Sequence, residues 1–167
     1  MGEYRLSWDQ TFLNVAREFS KRATCLRRRF GAVIARDKVF LGEGYNGAAS
    51  GLEDCLQRGY CIRERLNIPS GTQYETCRSI HAEVNAILDA GKKGGAEGAT
   101  LYLCGEKGGK GHKLIDGVPC SMCAREIINA KIVRVVAKMA NGRIKYYAMD
   151  ELIEIADHFE QSSGEKQ

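Results

Sequence analysis

Two short stretches limit what this chain can fold into more than any others. Residues Ser79 to Leu88, SIHAEVNAIL, set a histidine and a glutamate two positions apart at the head of an apolar helical repeat. Then, 37 residues beyond Glu83, PCSMCAREI places Cys120 and Cys123 in a C-x-x-C pair at the mouth of a second helix, with Pro119 at a favoured helix-start position. Both helices begin at strand ends. A sheet that carries them can therefore bring His81, Cys120 and Cys123 to one edge.

The rest of the chain supplies that sheet. Ser7 to Ala23 reads as a helix, with Ser7 as N-cap and Trp8, Phe12, Val15, Ala16 and Phe19 at three- and four-residue steps. Phe30 to Ala35 and Val39 to Gly44 are apolar runs around Arg36-Asp37-Lys38, which predicts a hairpin. GYNGAASG follows as a turn. Leu52 to Thr76 shows no period and reads as a long insertion. Ile80 to Ala90 is a helix, Ala99 to Cys104 a strand, and GEKGGKGHKLIDG a polar, mobile loop. Pro119 to Ala130 is a helix, Ile132 to Lys138 a strand, Tyr146 and Tyr147 mark a fifth strand, and Asp150 to Phe159 a closing helix. The order β-β-α-β-α-β-β, with a helix in front, predicts an α/β sheet covered on both faces. With 167 residues we expect one domain over 1–160, interrupted by an inserted loop at 105–118 and followed by a flexible tail at 161–167.

Three ligands, one nitrogen and two sulfurs, are what a catalytic zinc site needs, since such sites keep a fourth position open for water. Glu83 is then free to exchange protons with that water. Other readings exist for each residue alone: Glu83 as a first-turn carboxylate, His81 as a core histidine, the cysteine pair as a redox motif. The conjunction of H-x-E with P-C-x-x-C outweighs them, being the signature of zinc nucleobase deaminases.

The chain has seven cysteines, many for a chain with no signal-peptide-like start and no apolar run of membrane-spanning length. We expect a cytoplasmic protein, in which metal binding explains cysteines better than disulfides do. Cys25, Cys55, Cys61 and Cys77 form a second, all-cysteine set that could hold a structural zinc and pin the 52–76 segment. Cys104 reads as a packing residue. The net charge is +4, with basic residues crowded from Lys21 to Lys38; that cluster is either a solvated face or an anion site.

HAEVNAI with PCSMC resembles the cytidine deaminase-like superfamily. SKRATCLRRRFGAVIARD, GEGYNGAASGLEDC and CRSIHAEVNAI are similar to the deoxycytidylate (dCMP) deaminase family within it, over about residues 7–136. The resemblance implies a three-layer α/β/α fold with a central five-stranded mixed sheet. It implies zinc-dependent hydrolysis of dCMP to dUMP and ammonia, supplying dTTP synthesis, with His81, Cys120 and Cys123 on the catalytic zinc and Glu83 as proton shuttle. Ala82 would approach the base, Asn46 would bond the sugar, and Arg28 and Arg29 would bind the phosphate. It also implies a second zinc, a homo-oligomer with the hexamer favoured, and dCTP and dTTP as effectors, with Mg2+ accompanying the nucleotide. The 105–118 loop, Val118 and Ala49 depart from the family pattern; the loop would be a lid, a carrier of Lys110, His112 or Lys113 to a phosphate, or an idle insertion. Rival activities are a dCTP, riboflavin-pathway or tRNA adenosine deaminase, or a zinc-stabilised module without catalysis. Glu151, Glu154, Asp157 and Glu160 make the last helix acidic, which argues against nucleic acid as partner.

Overall fold

The computed structural model describes residues 5–157; the end of the expected closing helix, the 161–167 tail and His158 lie outside the described residues. Helix α1 spans Trp8–Ser20 and opens with a reciprocal Ser7–Gln10 capping box, a device that contributes about 1 kcal/mol. It is followed by β1 (Arg28–Arg36) and β2 (Val39–Tyr45), which pair antiparallel. Their turn is left-handed at Asp37 and Lys38, with φ of 51° and 66°, the backbone that tight hairpins favour. Next come the short strand β3 (Gly47–Ala48), helices α2 (Cys55–Arg58) and α3 (Ile62–Arg65), a 3-10 turn at Tyr74–Thr76, and β4 (Ser79–Ile80), which pairs with β3. The second half is α4 (Ala82–Gly91), β5 (Thr100–Lys107), β6 (Leu114–Ile115), α5 (Ser121–Asn129), β7 (Arg134–Lys138), β8 (Ile144–Tyr147) and α6 (Met149–Ala156).

The main sheet runs β2-β1-β5-β7-β8, mixed because β5 and β7 are parallel while the other neighbours on this path are antiparallel. Side-chain alternation along each strand divides the core in two. Ala32, Ile34, Leu101, Leu103, Val135 and Ala137 face Ala82 and Ala86 of α4, Ile127 of α5 and Leu152 of α6. Val33, Ala35, Tyr102, Cys104 and Val136 face Phe12, Leu13 and Ala16 of α1. Both faces are therefore buried, and the central strands read as continuous apolar runs. Cys104 is a packing residue, 1% exposed. Close approach of α4 to β2 depends on Gly42 and Gly44: a Cβ on Gly42 would stand 2.6 Å from the Ala90 backbone nitrogen, and one on Gly44 would strike Ala82 and Ala86. Among the described residues no helix is long and apolar enough to cross a membrane.

Two expectations change. The 52–76 segment is not formless. Its helices are only four residues each, too short to print a period, and a buried arginine organises it. The 105–118 stretch is not a free loop either. Residues 105–107 continue β5, and Leu114–Ile115 return as β6 against Gly105 and Glu106. The insertion adds a sixth strand beyond the end of the β7 pairing.

Candidate active site

Strand ends and helix starts converge as the two motifs require. His81 is the N-cap of α4 and Cys120 the N-cap of α5. His81 Nδ1 lies 3.3 Å from Cys123 Sγ and 3.4 Å from Cys120 Sγ. The ligand atoms of this trio all fall within 4.8 Å of one another. A tetrahedral zinc with Zn–N of about 2.0 Å and Zn–S of about 2.3 Å sets its nitrogen and sulfur ligands roughly 3.5 Å apart. The donor set, its spacing and the use of Nδ1 thus fit that ion. Both sulfurs sit at a helix N-terminus, where the exposed N–H groups favour thiolate; the Cys123 N–H points at Cys120 Sγ at 3.5 Å. The hydrogen bond from Cys123, with His81 assisting, pushes Cys120 down to about 4, while Cys123 is raised by that same bond and by burial. A divalent cation in place of the proton the sulfurs share would hold both as thiolates.

Glu83 follows in the first turn of α4 and is 5% exposed. Burial raises its pKa, opposed in part by His81. It lines the same cavity, of about 130 Å3, as His81, Ala82 and Cys120. A carboxylate whose proton affinity has been raised, beside an N,S,S metal trio, is suited to taking and returning a proton.

The expected substrate residues divide. Ala82 lines the cavity and is fully buried. Arg28 lines it too, but Arg29 does not: successive side chains of β1 point to opposite faces, and Arg29 shares the α1 side with Val33. Asn46 borders the cavity and is not in a left-handed conformation. Its Oδ1 accepts from the Phe30 N–H (2.7 Å) and its Nδ2 donates to the Arg28 carbonyl (2.9 Å). One amide N–H and one lone pair remain for a ligand. Asn85 braces the same turn by donating to the Tyr45 carbonyl at 2.8 Å.

Cys25, Cys61 and Cys77 also border the cavity, with Cys55 buried behind. Burial first, then the neighbouring Cys25, Cys61 and Cys77, push the Cys55 thiol up to about 11. A cation among the sulfurs would relieve this effect on Cys55, but among the described residues only His81, Cys120 and Cys123 bring their ligand atoms within 4.8 Å of one another.

Sequence reasoning passed over Arg63 and Tyr74, which border the cavity from the 52–76 segment. Arg63 is 4% exposed, and its guanidinium donates to the carbonyls of Pro69 (2.8 Å), Thr72 (2.6 Å) and Gln73. The basic run CIRER gave no cue, because an arginine that serves carbonyls has no signature at a fixed spacing. The insertion's His112 points away from the cavity: its Nδ1 donates to Glu106 Oε2 at 2.9 Å, on the α1 side of β5.

Comparison with known proteins agrees with this geometry. The family model for the cytidine and deoxycytidylate deaminase zinc-binding region matches residues 6–139. A deoxycytidylate deaminase of Mycobacterium phage D29 is 35% identical over 138 residues, covering 79% of this chain and 94% of its own. One from Schizosaccharomyces pombe is 34% identical over 133 residues, covering 80% of this chain but 37% of its own, so the chain spans well under half the length of that relative. The crystal structure of the dCMP deaminase of cyanophage S-TIM5 superposes with a TM-score of 0.58 at 21% identity, over 92% of this chain and 95% of that one, which shows a shared fold. On the family match, the D29 relative and the metal trio together, the chain belongs to the cytidine and deoxycytidylate deaminase zinc-binding family.

Proposed function

We propose that the chain is a zinc-dependent deaminase of dCMP, yielding dUMP and ammonia. The observation that carries this is the buried Glu83 beside the His81, Cys120 and Cys123 trio, in a cavity that Arg28 also lines. Zinc held by the trio would lower the pKa of a water molecule from about 16 toward about 7. Glu83 takes a proton from the attacking water and delivers it to the ring nitrogen N3. It then carries the water's second proton to the C4 amino group, so that the C4–N bond breaks, ammonia departs and the water oxygen remains as the C4 carbonyl. His81, Cys120 and Cys123 fix the reacting end, Ala82 sets the backbone against the ring, Asn46 turns its remaining N–H to the sugar, and Arg28 binds the phosphate. Arg29, on the other face of β1, is left outside this assignment.

The same reading includes a structural zinc held by Cys25, Cys55, Cys61 and Cys77; the influence of the other three sulfurs at Cys55 supports it. It also includes a hexameric assembly, dCTP and dTTP as effectors with Mg2+, and a cytoplasmic location, which rest on family resemblance. Ammonia release from dCMP, dCTP, cytidine and a tRNA anticodon stem by the zinc-loaded protein tests the central proposal. Release from dCMP with the highest kcat/KM is expected. Release from the tRNA stem alone, or from nothing despite bound zinc, would reject it.

A further inference from the structure

We propose that Tyr74 is a specificity-determining residue whose hydroxyl, together with Arg28, reads the 5′-phosphate of the substrate, an assignment that rests on the nucleotide reading above. Tyr74 belongs to the 3-10 turn at Tyr74–Thr76 and lines the cavity. Its ring meets the His81 ring edge-on, with centroids 5.2 Å apart and planes at 88°. The Arg63 guanidinium lies 5.2 Å from its centroid. Arg63 is itself held by the carbonyls of Pro69, Thr72 and Gln73. A ring fixed by two such neighbours loses little further freedom when a ligand arrives.

The phenol hydroxyl is the group left to explain. Tyr74 is half-buried, and among the described residues its hydroxyl has no hydrogen-bond partner and is not closed off from solvent. An accessible O–H that no protein group engages is one that a ligand can complete. The groups that act on the Tyr74 hydroxyl electrostatically are the Cys120 and Cys123 sulfurs and the Arg28 and Arg63 guanidiniums. It is therefore within electrostatic reach both of the proposed metal ligands and of the cavity's cationic end.

That cationic end suits a phosphomonoester. Arg27, Arg28 and Arg63 line the cavity against one carboxylate, Glu83. Arg27 is paired with Glu64 at 3.2 Å. Arg63 has only carbonyl and hydroxyl acceptors, and among the described residues Arg28 has no ion pair. The excess charge favours a dianion, and a phenol O–H beside a guanidinium adds a directed donor to it. In the insertion, His112 is engaged by Glu106 on the far face of the sheet.

The test uses the zinc-loaded full chain. Dissociation constants for dUMP and for deoxyuridine are measured by calorimetry for the wild type and for Tyr74→Phe, which keeps the ring and removes only the hydroxyl. Loss of one charge-assisted hydrogen bond should weaken dUMP about tenfold and leave deoxyuridine within about twofold. In Arg28→Gln the further effect of Tyr74→Phe on dUMP should shrink, because the two groups share one ligand. Unchanged dUMP affinity, or equal weakening of both ligands, would overturn the assignment. A wild type that deaminates no nucleotide would instead reject the reading on which it rests.

Discussion

Glu83 is the residue on which chemistry and burial bear most directly. It is 5% exposed, two positions from the expected ligand His81. Glu83→Gln keeps the shape and the side-chain carbonyl but cannot shuttle a proton. We expect zinc content to stay at the wild-type level and kcat to fall by several orders of magnitude, since proton transfer and water activation act as a unit; metal analysis beside steady-state rates checks both. Arg63 acts differently. Its planar fork reaches three carbonyls at once, a geometry that a lysine ammonium does not reproduce. Arg63→Lys should lower unfolding stability by about 3 kcal/mol, because three loop carbonyls lose a shared charged donor and the buried cation loses its acceptors. Urea titration reads this as a lower midpoint at constant slope.

At the scale of elements, the insertion between β5 and α5 is tied down rather than free. Glu106, fully buried on β5, accepts from Arg17 Nε of α1 at 2.7 Å and from His112 of the insertion at 2.9 Å. One carboxylate thus joins α1, the sheet and the added strand β6. Burial alone would raise its pKa, but Arg17 and then His112 outweigh that and leave it below the ordinary value of 4.5. The unfolded chain therefore protonates first as pH falls. The stabilisation is complete above about 4.5 and is lost as pH drops through the lower native value. Glu106→Gln should cost about 2 kcal/mol at neutral pH, discounted because Arg17 is half exposed, and should flatten the acid limb of the stability curve; denaturant melts across pH measure both. The longer helices, the central strands and the convergence of His81 with Cys120 and Cys123 were legible in the sequence because their cues are local: a capping serine, period-2 and period-3.6 runs, a C-x-x-C. The Glu106–Arg17 pair was not, since 89 residues separate its partners. The division between Arg28 and Arg29 was legible in principle. Strand alternation sends the two to opposite faces once β1 is known to include them, but the apolar run from Phe30 set the expected strand start too late.

For the whole molecule, the issue is what holds the 52–76 segment against the sheet. It buries little apolar surface of its own: Leu52, Leu56 and Leu66 are all exposed. Helices of four residues do not stand alone. Arg63 knits the segment internally, yet the pieces that must stay together come from far apart in the chain: Cys25 before β1, Cys55 and Cys61 at the starts of α2 and α3, and Cys77 just before β4. A tetrahedral zinc would close this loop with four bonds and restrain the unfolded chain as well as the folded one. Three of these cysteines border the active-site cavity, so the restraint also shapes the wall that carries Tyr74. Cys55→Ser should reduce bound zinc from about two to about one per chain. Losing about 3 kcal/mol should lower Tm by roughly 10 °C. On the proposed dCMP deaminase activity, it should raise KM for dCMP more than it lowers kcat, because His81, Cys120 and Cys123 stay in place while the wall loosens. Metal content, thermal melts and steady-state kinetics on one preparation decide the matter, and a Cys55→Ser protein that retains both zinc ions would exclude the second site.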